Sequence, residues 1–198
     1  MNLTKKQKSA IIGMILGDGY LQKTGSRNAR LRLEHQADHY NYLLWKAKIL
    51  PKFFQGKPKI LKRIHPITKK TYSYVRHQSN ASPYFGKMRA LFYPNGKKTI
   101  PRNLKELLRD EIGFAVWYYD DGYYYQRDQC FYLYLGKISR EEATLASDTV
   151  RKNFHLSNSI LDKKNKGFAL YFPRTEKEKI KKIVEKYAVP VMAYKIPS

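Results

Sequence analysis

The chain has 198 residues, of which 42% are hydrophobic. This composition excludes a disordered protein, and the length allows one sizeable core or two small fused halves. The net charge of +23 is far above that of a typical small-molecule enzyme and predicts a polyanionic partner, with nucleic acid ahead of an anionic membrane surface. The single cysteine, Cys130, excludes an intrachain disulfide and fits a reducing compartment. No signal peptide or membrane-spanning apolar run is recognisable, so we expect an intracellular protein, cytoplasmic or organellar (mitochondrion included), without a membrane partner.

The first half of the chain predicts the order helix, strand pair, helix, strand pair, helix. Thr4 is the predicted N-cap of the first helix, because its hydroxyl can accept from the backbone of the first turn. Hydrophobic periodicity and turn residues place the other elements. These are the end of the first helix at residue 18, strands at 20–22, 29–36, 58–66 and 70–79, and helices at 37–50 and 82–94.

The second half repeats a related order, starting near Ile100. Ser139 and Glu142 have the spacing of a capping box, which predicts the start of a helix. The predicted elements are one continuous helix at 103–121, strands at 123–129 and 130–136, a helix at 139–155, a hairpin at 159–174 and a helix at 175–189. The sequence therefore predicts an α+β fold in two halves, residues 1–99 and 100–198.

The two halves share one local event. In each, an apolar helix ends in Asp-Gly and an aromatic strand follows, as LGDGYL at 16–21 and YDDGYY at 119–124. The separation of Asp18 and Asp121 is about half the chain, which indicates pseudo-twofold symmetry within one polypeptide. Asp18 is also one of only three acids among residues 1–100, which carry 21 basic residues.

An aspartate at a helix C-terminus opposes the helix dipole, so a cation is expected nearby. Both preceding helices are apolar on all sides and predicted to be buried, with Gly13 and Gly17 allowing close backbone approach. Packed in parallel, they would bring two carboxylates together, a site that suits hard divalent ions and phosphodiester hydrolysis. The alternative is two ordinary helix stops followed by turns, which a pair half a chain apart disfavours. Spacing alone does not decide between Asp120 and Asp121.

The segments IIGMILGDG and FAVWYYDDG resemble the paired signature helices of the LAGLIDADG homing endonucleases. NGKKTIPRNL at 95–104 and PVMAYKIP at 190–197 also resemble segments of monomeric, intron-encoded members, in the same order. The resemblance runs from about Ala10 to the C-terminus. It implies a pseudo-twofold pair of αββαββα halves whose antiparallel sheets form a DNA-binding saddle. It also implies a monomer that binds double-stranded DNA.

The resemblance implies a set of site residues. Asp18 and Asp121 match the metal-binding, catalytic carboxylates, and Gly17 and Asp120 offer backbone carbonyls as further metal ligands. Lys98 and Lys195 match basic residues of the catalytic centre, which orient water or offset phosphate charge. The implied cofactor is Mg²⁺, with Mn²⁺ or Ca²⁺ able to substitute in binding.

The predicted strands carry many basic, glutamine and tyrosine side chains. Arginine suits guanine and glutamine suits adenine, whereas lysine suits phosphate. A solvated sheet face is about as good an interpretation for any single residue, but the set favours a DNA-binding face. Most of the five histidines are expected to be surface or structural residues, although His35 and His77 could reach phosphate. The predicted DNA-binding residues are Lys23, Arg27, Arg30, Arg32, Lys59, Lys62, Arg63, Lys70, Tyr72 and Arg76 in the first half, and Tyr124, Gln126, Arg127, Gln129, Tyr132, Tyr134, Lys163 and Lys164 in the second.

These features favour a site-specific homing endonuclease that uses divalent metal to hydrolyse both strands of a long DNA target. The competing function is an intron RNA maturase, or a non-cleaving DNA-binding regulator with the same fold. Either would keep the basic surface, but such proteins often lose the acids. Because both aspartates and both lysines are present, the sequence favours the nuclease.

Overall fold

The structure of the protein, a computed structural model, describes residues 2–197. Its α-helices are α1 Lys5–Leu16, α2 Tyr40–Ile49, α3 Pro83–Phe92, α4 Leu104–Leu107, α5 Glu111–Asp121, α6 Arg140–Phe154 and α7 Lys177–Glu185. Its strands are β1 Tyr20–Lys23, β2 Ala29–Gln36, β3 Lys59–Ile64, β4 Thr71–Gln78, β5 Gly122–Tyr125, β6 Cys130–Gly136, β7 Ser159–Asp162 and β8 Phe168–Phe172.

The described residues fall into two compact units. The smaller unit comprises Asp18–Leu91 and Val189–Met192. The larger unit is formed within Met1–Gly17, Phe92–Ala188 and Ala193–Ser198. Each unit contains one four-stranded antiparallel sheet.

The smaller unit holds the first sheet, in the order β1-β2-β4-β3. Strand β2 alternates between the two faces of this sheet, because successive side chains of a strand point in opposite directions. Leu31 and Leu33 are fully buried, while Arg30 and Arg32 are only half-buried on the opposite face. Helix α2 packs on the buried face, against β2 and β4. The predicted alternation of this strand is confirmed.

The larger unit holds the second sheet, in the order β5-β6-β8-β7. This is the order of the first sheet, strand for strand, and both sheets are antiparallel throughout. Phe131, Leu133, Leu170 and Phe172 are fully buried on its inner face. The predicted α+β fold with a repeated plan is confirmed.

Helices α1 and α5 pack against each other inside the larger unit. Their interiors are buried from Ser9 to Leu16 and from Ile112 to Tyr119. A Cβ atom built on Gly13 would lie 2.1 Å from the carbonyl oxygen of Gly113, so the two backbones are in direct contact. The predicted close approach at Gly13 is confirmed.

The predicted N-cap at Thr4 and the predicted capping box at Ser139 and Glu142 are both present, and Thr4 also forms a capping box with Gln7, which was not predicted. Thr4 accepts from the backbone N–H of Gln7 and Ser139 accepts from that of Glu142, and each partner side chain bonds back to its N-cap.

Several helix bounds differ from the predictions, and the largest difference lies before α5. The predicted single helix over 103–121 is wrong, since α4 ends at Leu107 and α5 begins at Glu111. The carboxylate of Asp110 accepts from the Ile112 N–H over 3.1 Å, because aspartate competes for backbone donors and favours an N-cap over a helix interior. Helix α1 ends at Leu16 rather than at residue 18.

The compact units do not coincide with residues 1–99 and 100–198, because α1 belongs with α5. A unit defined by compactness is not the same as a repeated half, and the division into two halves at residue 99 stays a prediction. Within residues 2–197, no helix combines the length and apolar character needed to cross a bilayer.

Candidate active site

The C-terminal end of α1 is closed by a lysine. Nζ of Lys98 donates to the carbonyl oxygens of Leu16 and Gly17, over 2.8 and 2.7 Å. The segment that carries Lys98 is anchored by a bond from the Thr99 N–H to the Phe92 carbonyl. Helix-terminal carbonyls lack partners within the helix and carry partial negative charge, so an ammonium group there satisfies both needs.

The C-terminal end of α5 is closed in the same way. Nζ of Lys195 donates to the carbonyl oxygens of Tyr119 and Asp120, over 2.7 and 2.9 Å. The Tyr118 hydroxyl donates to the Lys195 carbonyl over 3.0 Å and holds that segment against the helix. The two lysines predicted to belong to the catalytic centre therefore make equivalent contacts at two equivalent helix ends. The carbonyls of Gly17 and Asp120, predicted as metal ligands, each accept one of these bonds.

Asp120 and Asp121, between which spacing does not decide, have different surroundings. A Cβ atom on Gly17 would lie 2.3 Å from Oδ2 of Asp120, so the Asp120 carboxylate packs on that glycine. Asp121 instead lines a cavity of about 400 Å³ together with Lys98 and Trp117. The indole N–H of Trp117 is buried and has no hydrogen-bond partner among residues 2–197. The cavity beside Asp121 has room for an ion, water or phosphate.

Asp18, the first residue of the smaller unit, lies beside a histidine. Its side chain is 48% exposed, and Oδ2 is 3.5 Å from Nδ1 of His35. Nε2 of His35 is in turn 3.0 Å from Nζ of Lys46, a fully buried lysine whose ammonium group lies 4.4 Å from the centre of the Tyr42 ring. Asp18 therefore faces solvent on one side and a buried basic pair on the other.

His35 and His77, the two histidines considered from the sequence as able to reach phosphate, both lie on the buried face of the first sheet. Period-two alternation would have predicted this burial, because His35 continues the buried positions of Leu31 and Leu33 in β2, and His77 continues that of Val75 in β4. Burial lowers the pKa of His77 and favours its neutral form. Lys46 was missed, since a lysine within a helical pattern gives no sign that it is buried.

The outer face of the first sheet gathers most of the basic residues predicted for the first half. We call this surface the polar face; it consists of Tyr20, Gln22, Arg30, Arg32, Glu34, Lys59, Arg63, Tyr72, Tyr74, Arg76 and Gln78, which the strand registers align. Nε of Arg30 is buried without a hydrogen-bond partner in the described part of the chain. Arg27 and Lys70 lie in exposed turns beside these strands, whereas the registers place Lys23 and Lys62 on the opposite face.

The second sheet presents a different outer face. Tyr132 and Tyr134 lie on it, as predicted, but Tyr124 does not, because its ring stacks on Phe131 with centroids 4.9 Å apart. The predicted residues Gln126, Arg127 and Gln129 occupy the turn before β6, and Lys163 and Lys164 lie in the turn before β8. Sequence reasoning missed three further tyrosines on this face, which are Tyr123, Tyr125 and Tyr171. This surface is aromatic where the polar face is cationic.

Each helix end carries oxygen donors of the kind that a hard divalent cation prefers. Asp18 and Asp121 offer carboxylate oxygens, and both side chains are at least partly accessible to solvent. Magnesium and calcium prefer oxygen ligands of this kind. A carboxylate placed at the negative end of a helix dipole is also an electrostatic reason for a bound cation.

Comparison with known proteins identifies relatives over nearly the whole chain. The chain is 27% identical over 199 residues to "Probable intron-encoded endonuclease 1" of Wickerhamomyces canadensis, with 98% of this chain and 85% of that protein covered. It is 25% identical over 214 residues to "DNA endonuclease I-ChuI" of Chlamydomonas applanata, with coverage of 99% and 96%.

Two solved structures share the fold. The homing endonuclease I-WcaI, bound to its DNA recognition sequence, superposes with a TM-score of 0.87 at 26% identity, covering 99% of this chain and 88% of that one. I-DmoI, in complex with DNA and Mn, superposes with a TM-score of 0.52 at 14% identity, covering 93% and 99%. The family model described as "LAGLIDADG DNA endonuclease family" matches residues 8–180. Because that match takes in the greater part of the chain, the protein belongs to the LAGLIDADG DNA endonuclease family.

Proposed function

We propose that the protein is a homing endonuclease that hydrolyses both strands of a long double-stranded DNA target, as a monomer, with Mg²⁺ as its cofactor. One observation carries this proposal. At the ends of both α1 and α5 a lysine bonds the last carbonyls, and an aspartate stands next in the chain, Asp18 after α1 and Asp121 as the last residue of α5. The likeness to the DNA-bound I-WcaI structure, over 99% of this chain, supports it.

Asp18 and Asp121 hold divalent cations in this proposal, and the carbonyls of Gly17 and Asp120 are further oxygen ligands. When bound, such cations would lower the pKa of a coordinated water and stabilise the leaving oxygen of a phosphodiester. Lys98 and Lys195 fix the helix ends and bring positive charge close to the acids, where it offsets the charge of the scissile phosphates. Asp120 contributes its backbone carbonyl in this proposal.

The polar face of the first sheet supplies most of the DNA contacts. Its arginines and glutamines carry the donors and acceptors that read guanine and adenine edges. Its lysine, Lys59, together with the exposed turn residues Arg27 and Lys70, contacts phosphates. The tyrosine-rich face of the second sheet adds Tyr132 and Tyr134, with Lys163 and Lys164 beside them. The ammonium group of Lys163 lies 5.0 Å from the centre of the Tyr132 ring.

Cleavage of a randomised duplex DNA library in Mg²⁺ tests this function, because a cut product reports activity and target together. Asp18→Asn and Asp121→Asn are each expected to abolish cleavage while preserving DNA binding. Asp120→Asn is the matched control: it removes one carboxylate but keeps the backbone carbonyl, so cleavage should stay within about tenfold of wild type.

Three outcomes would contradict the proposal. Cleavage of both strands by Asp121→Asn would show that the metal ligands are assigned wrongly. Selective DNA binding by the wild-type protein without cleavage in Mg²⁺ or Mn²⁺ would identify a regulator. Selective binding of a structured intron RNA in preference to any duplex DNA would identify a maturase.

A further inference from the structure

A single carboxylate lies among three arginine side chains on the polar face. Glu34 accepts a hydrogen bond from Nε of Arg76 over 2.6 Å. Its carboxylate is also 3.1 Å from Nε of Arg32 and 3.5 Å from Nη2 of Arg63. The three arginines come from β2, β3 and β4, so one acid on β2 connects three of the four strands. We call these four residues the Glu34 cluster.

Tyrosine rings support the same guanidinium groups. Arg63 and Arg76 lie 4.9 and 5.4 Å from the centre of the Tyr74 ring, and Arg32 lies 5.1 Å from that of Tyr20. Each arginine of the Glu34 cluster is therefore restrained by one ion pair and one aromatic contact. A guanidinium held in this way loses little further side-chain entropy when it forms two parallel hydrogen bonds.

The carboxylate opposes simple affinity for DNA. It lowers the positive charge of a surface that has to bind a polyanion, and each lost cationic contact costs counterion release. Its ion pair with Arg63 adds little stability, because that side chain is 63% exposed and ion pairs with exposed partners are weak. Glu34 instead orients the arginines, because its carboxylate contacts one nitrogen of each guanidinium group and leaves the other N–H donors of that group available.

We propose that Glu34 is a positioning residue for DNA sequence discrimination. It holds Arg32, Arg63 and Arg76 in the orientations that read guanine edges, and it keeps them from turning to the phosphates. Without the carboxylate, the arginines bind phosphate in any sequence, so the protein gains affinity and loses discrimination. This inference rests on the proposed function, because it requires that the polar face binds DNA.

A binding selection on a randomised duplex DNA library tests the role, with Ca²⁺ replacing Mg²⁺ so that bound DNA is not cut. Glu34→Gln is compared with wild type, and the readout is the affinity for the selected duplex relative to a mixed-sequence duplex. We expect this ratio to fall at least about tenfold. Affinity for the mixed-sequence duplex should rise, with a salt slope steeper by about 1.

Asp38→Asn is the matched control, because it removes one negative charge from the same unit at an exposed position outside the polar face. It should leave the ratio unchanged. Glu34→Asp should restore part of the discrimination. Arg76→Lys is a second test, because lysine keeps the positive charge but lacks the two parallel N–H donors of the guanidinium group. In this variant the affinity ratio should fall without tighter binding to mixed-sequence DNA.

Two results would overturn the positioning role. One is a ratio for Glu34→Gln equal to that of Asp38→Asn. The other is a loss of preference at one base pair only, with the preferences at all other base pairs unchanged, which would mean that Glu34 itself reads one base and does not orient three arginines. If the wild-type protein enriches no sequence at all, the proposed function fails, and the inference fails with it.

Discussion

Nζ of Lys98 lies 2.7 Å from the carbonyl oxygen of Gly17, at the point where α1 ends. Lys195 makes the equivalent bond to Asp120 at the end of α5. In both places the lysine bonds the residue immediately before a predicted metal-binding aspartate. The lysines therefore fix the backbone from which each carboxylate projects, whatever else they contribute to the reaction.

Removing either lysine should weaken the fold and the activity together. Lys98→Met and Lys195→Met each leave two helix-end carbonyls without their charged donor, which costs about 1.5–3 kcal/mol for hydrogen bonds of this kind. Urea unfolding and single-turnover cleavage measure the two effects. Lys105→Met, an exposed lysine on α4, should change neither. An unfolding midpoint for Lys98→Met equal to that of wild type would contradict the role of these bonds.

The contact between Gly13 and Gly113 predicts a steric limit at the helix crossing. In Gly13→Ala the new Cβ would lie 2.1 Å from the Gly113 oxygen, so the two backbones have to separate. We expect a loss of about 1–3 kcal/mol, as for an overpacked core. Thermal or urea unfolding measures it. Gly25→Ala is the control, because no atom lies within 4 Å of its added Cβ; equal stability of the two variants would contradict the tight crossing.

The buried ring of His77 predicts a pH-dependent part of the folding stability. Burial lowers its pKa below the ordinary value of 6.5, so the folded protein favours the neutral ring and the unfolded chain binds more protons. This contribution is fully present above about pH 6.5 and is lost as the pH falls below that value. The free energy of unfolding, measured with urea, should therefore differ less between pH 7.5 and pH 5.5 for His77→Asn than for the wild-type protein.

His155→Asn is the matched control for this measurement. His155 is exposed and has a left-handed backbone, with a φ of 55°, which asparagine tolerates. This variant should keep the wild-type difference between the two pH values. If both variants changed that difference equally, its source would not be the buried ring.

DNA binding should weaken steeply with salt, because the contacts release counterions. Lys59 lies opposite Arg76 in the register of the polar face. Lys59→Ala should lower the slope of log affinity against log salt by about 1, and Lys182→Ala, on the exposed side of α7, should leave it unchanged. Affinity measured by fluorescence anisotropy across a salt series checks both. A flat response of the wild-type protein would contradict DNA binding by this sheet.

Local patterns in the sequence were sufficient for much of the fold. The alternation around Leu31 and Leu33 predicted both faces of β2, and the spacing of Ser139 and Glu142 predicted the start of α6. These features depend only on neighbouring residues. The face of β5 could not be predicted in this way, because three consecutive tyrosines have no alternation. Pairing with β6 decides it, and a shift of one residue exchanges the two faces.

The contacts of the candidate site are long-range, and that is why sequence reasoning reached only part of it. Lys98 and Gly17 are 81 residues apart, and Lys195 and Asp120 are 75 apart. No periodic pattern reports such pairs, so the lysines were predicted from the family resemblance alone. The three arginines around Glu34 were each predicted to bind DNA, but their common carboxylate appears only when the strands are in register.

The crossing of α1 and α5 also constrains how the gene could be divided. A fission between residues 99 and 100 would produce an N-terminal polypeptide whose first helix has lost the backbone that covers Gly13. Such a polypeptide could bury that surface only against the missing half or against a second copy of itself. The same glycine contact that joins the two helices of the single chain would then act as a dimerisation surface.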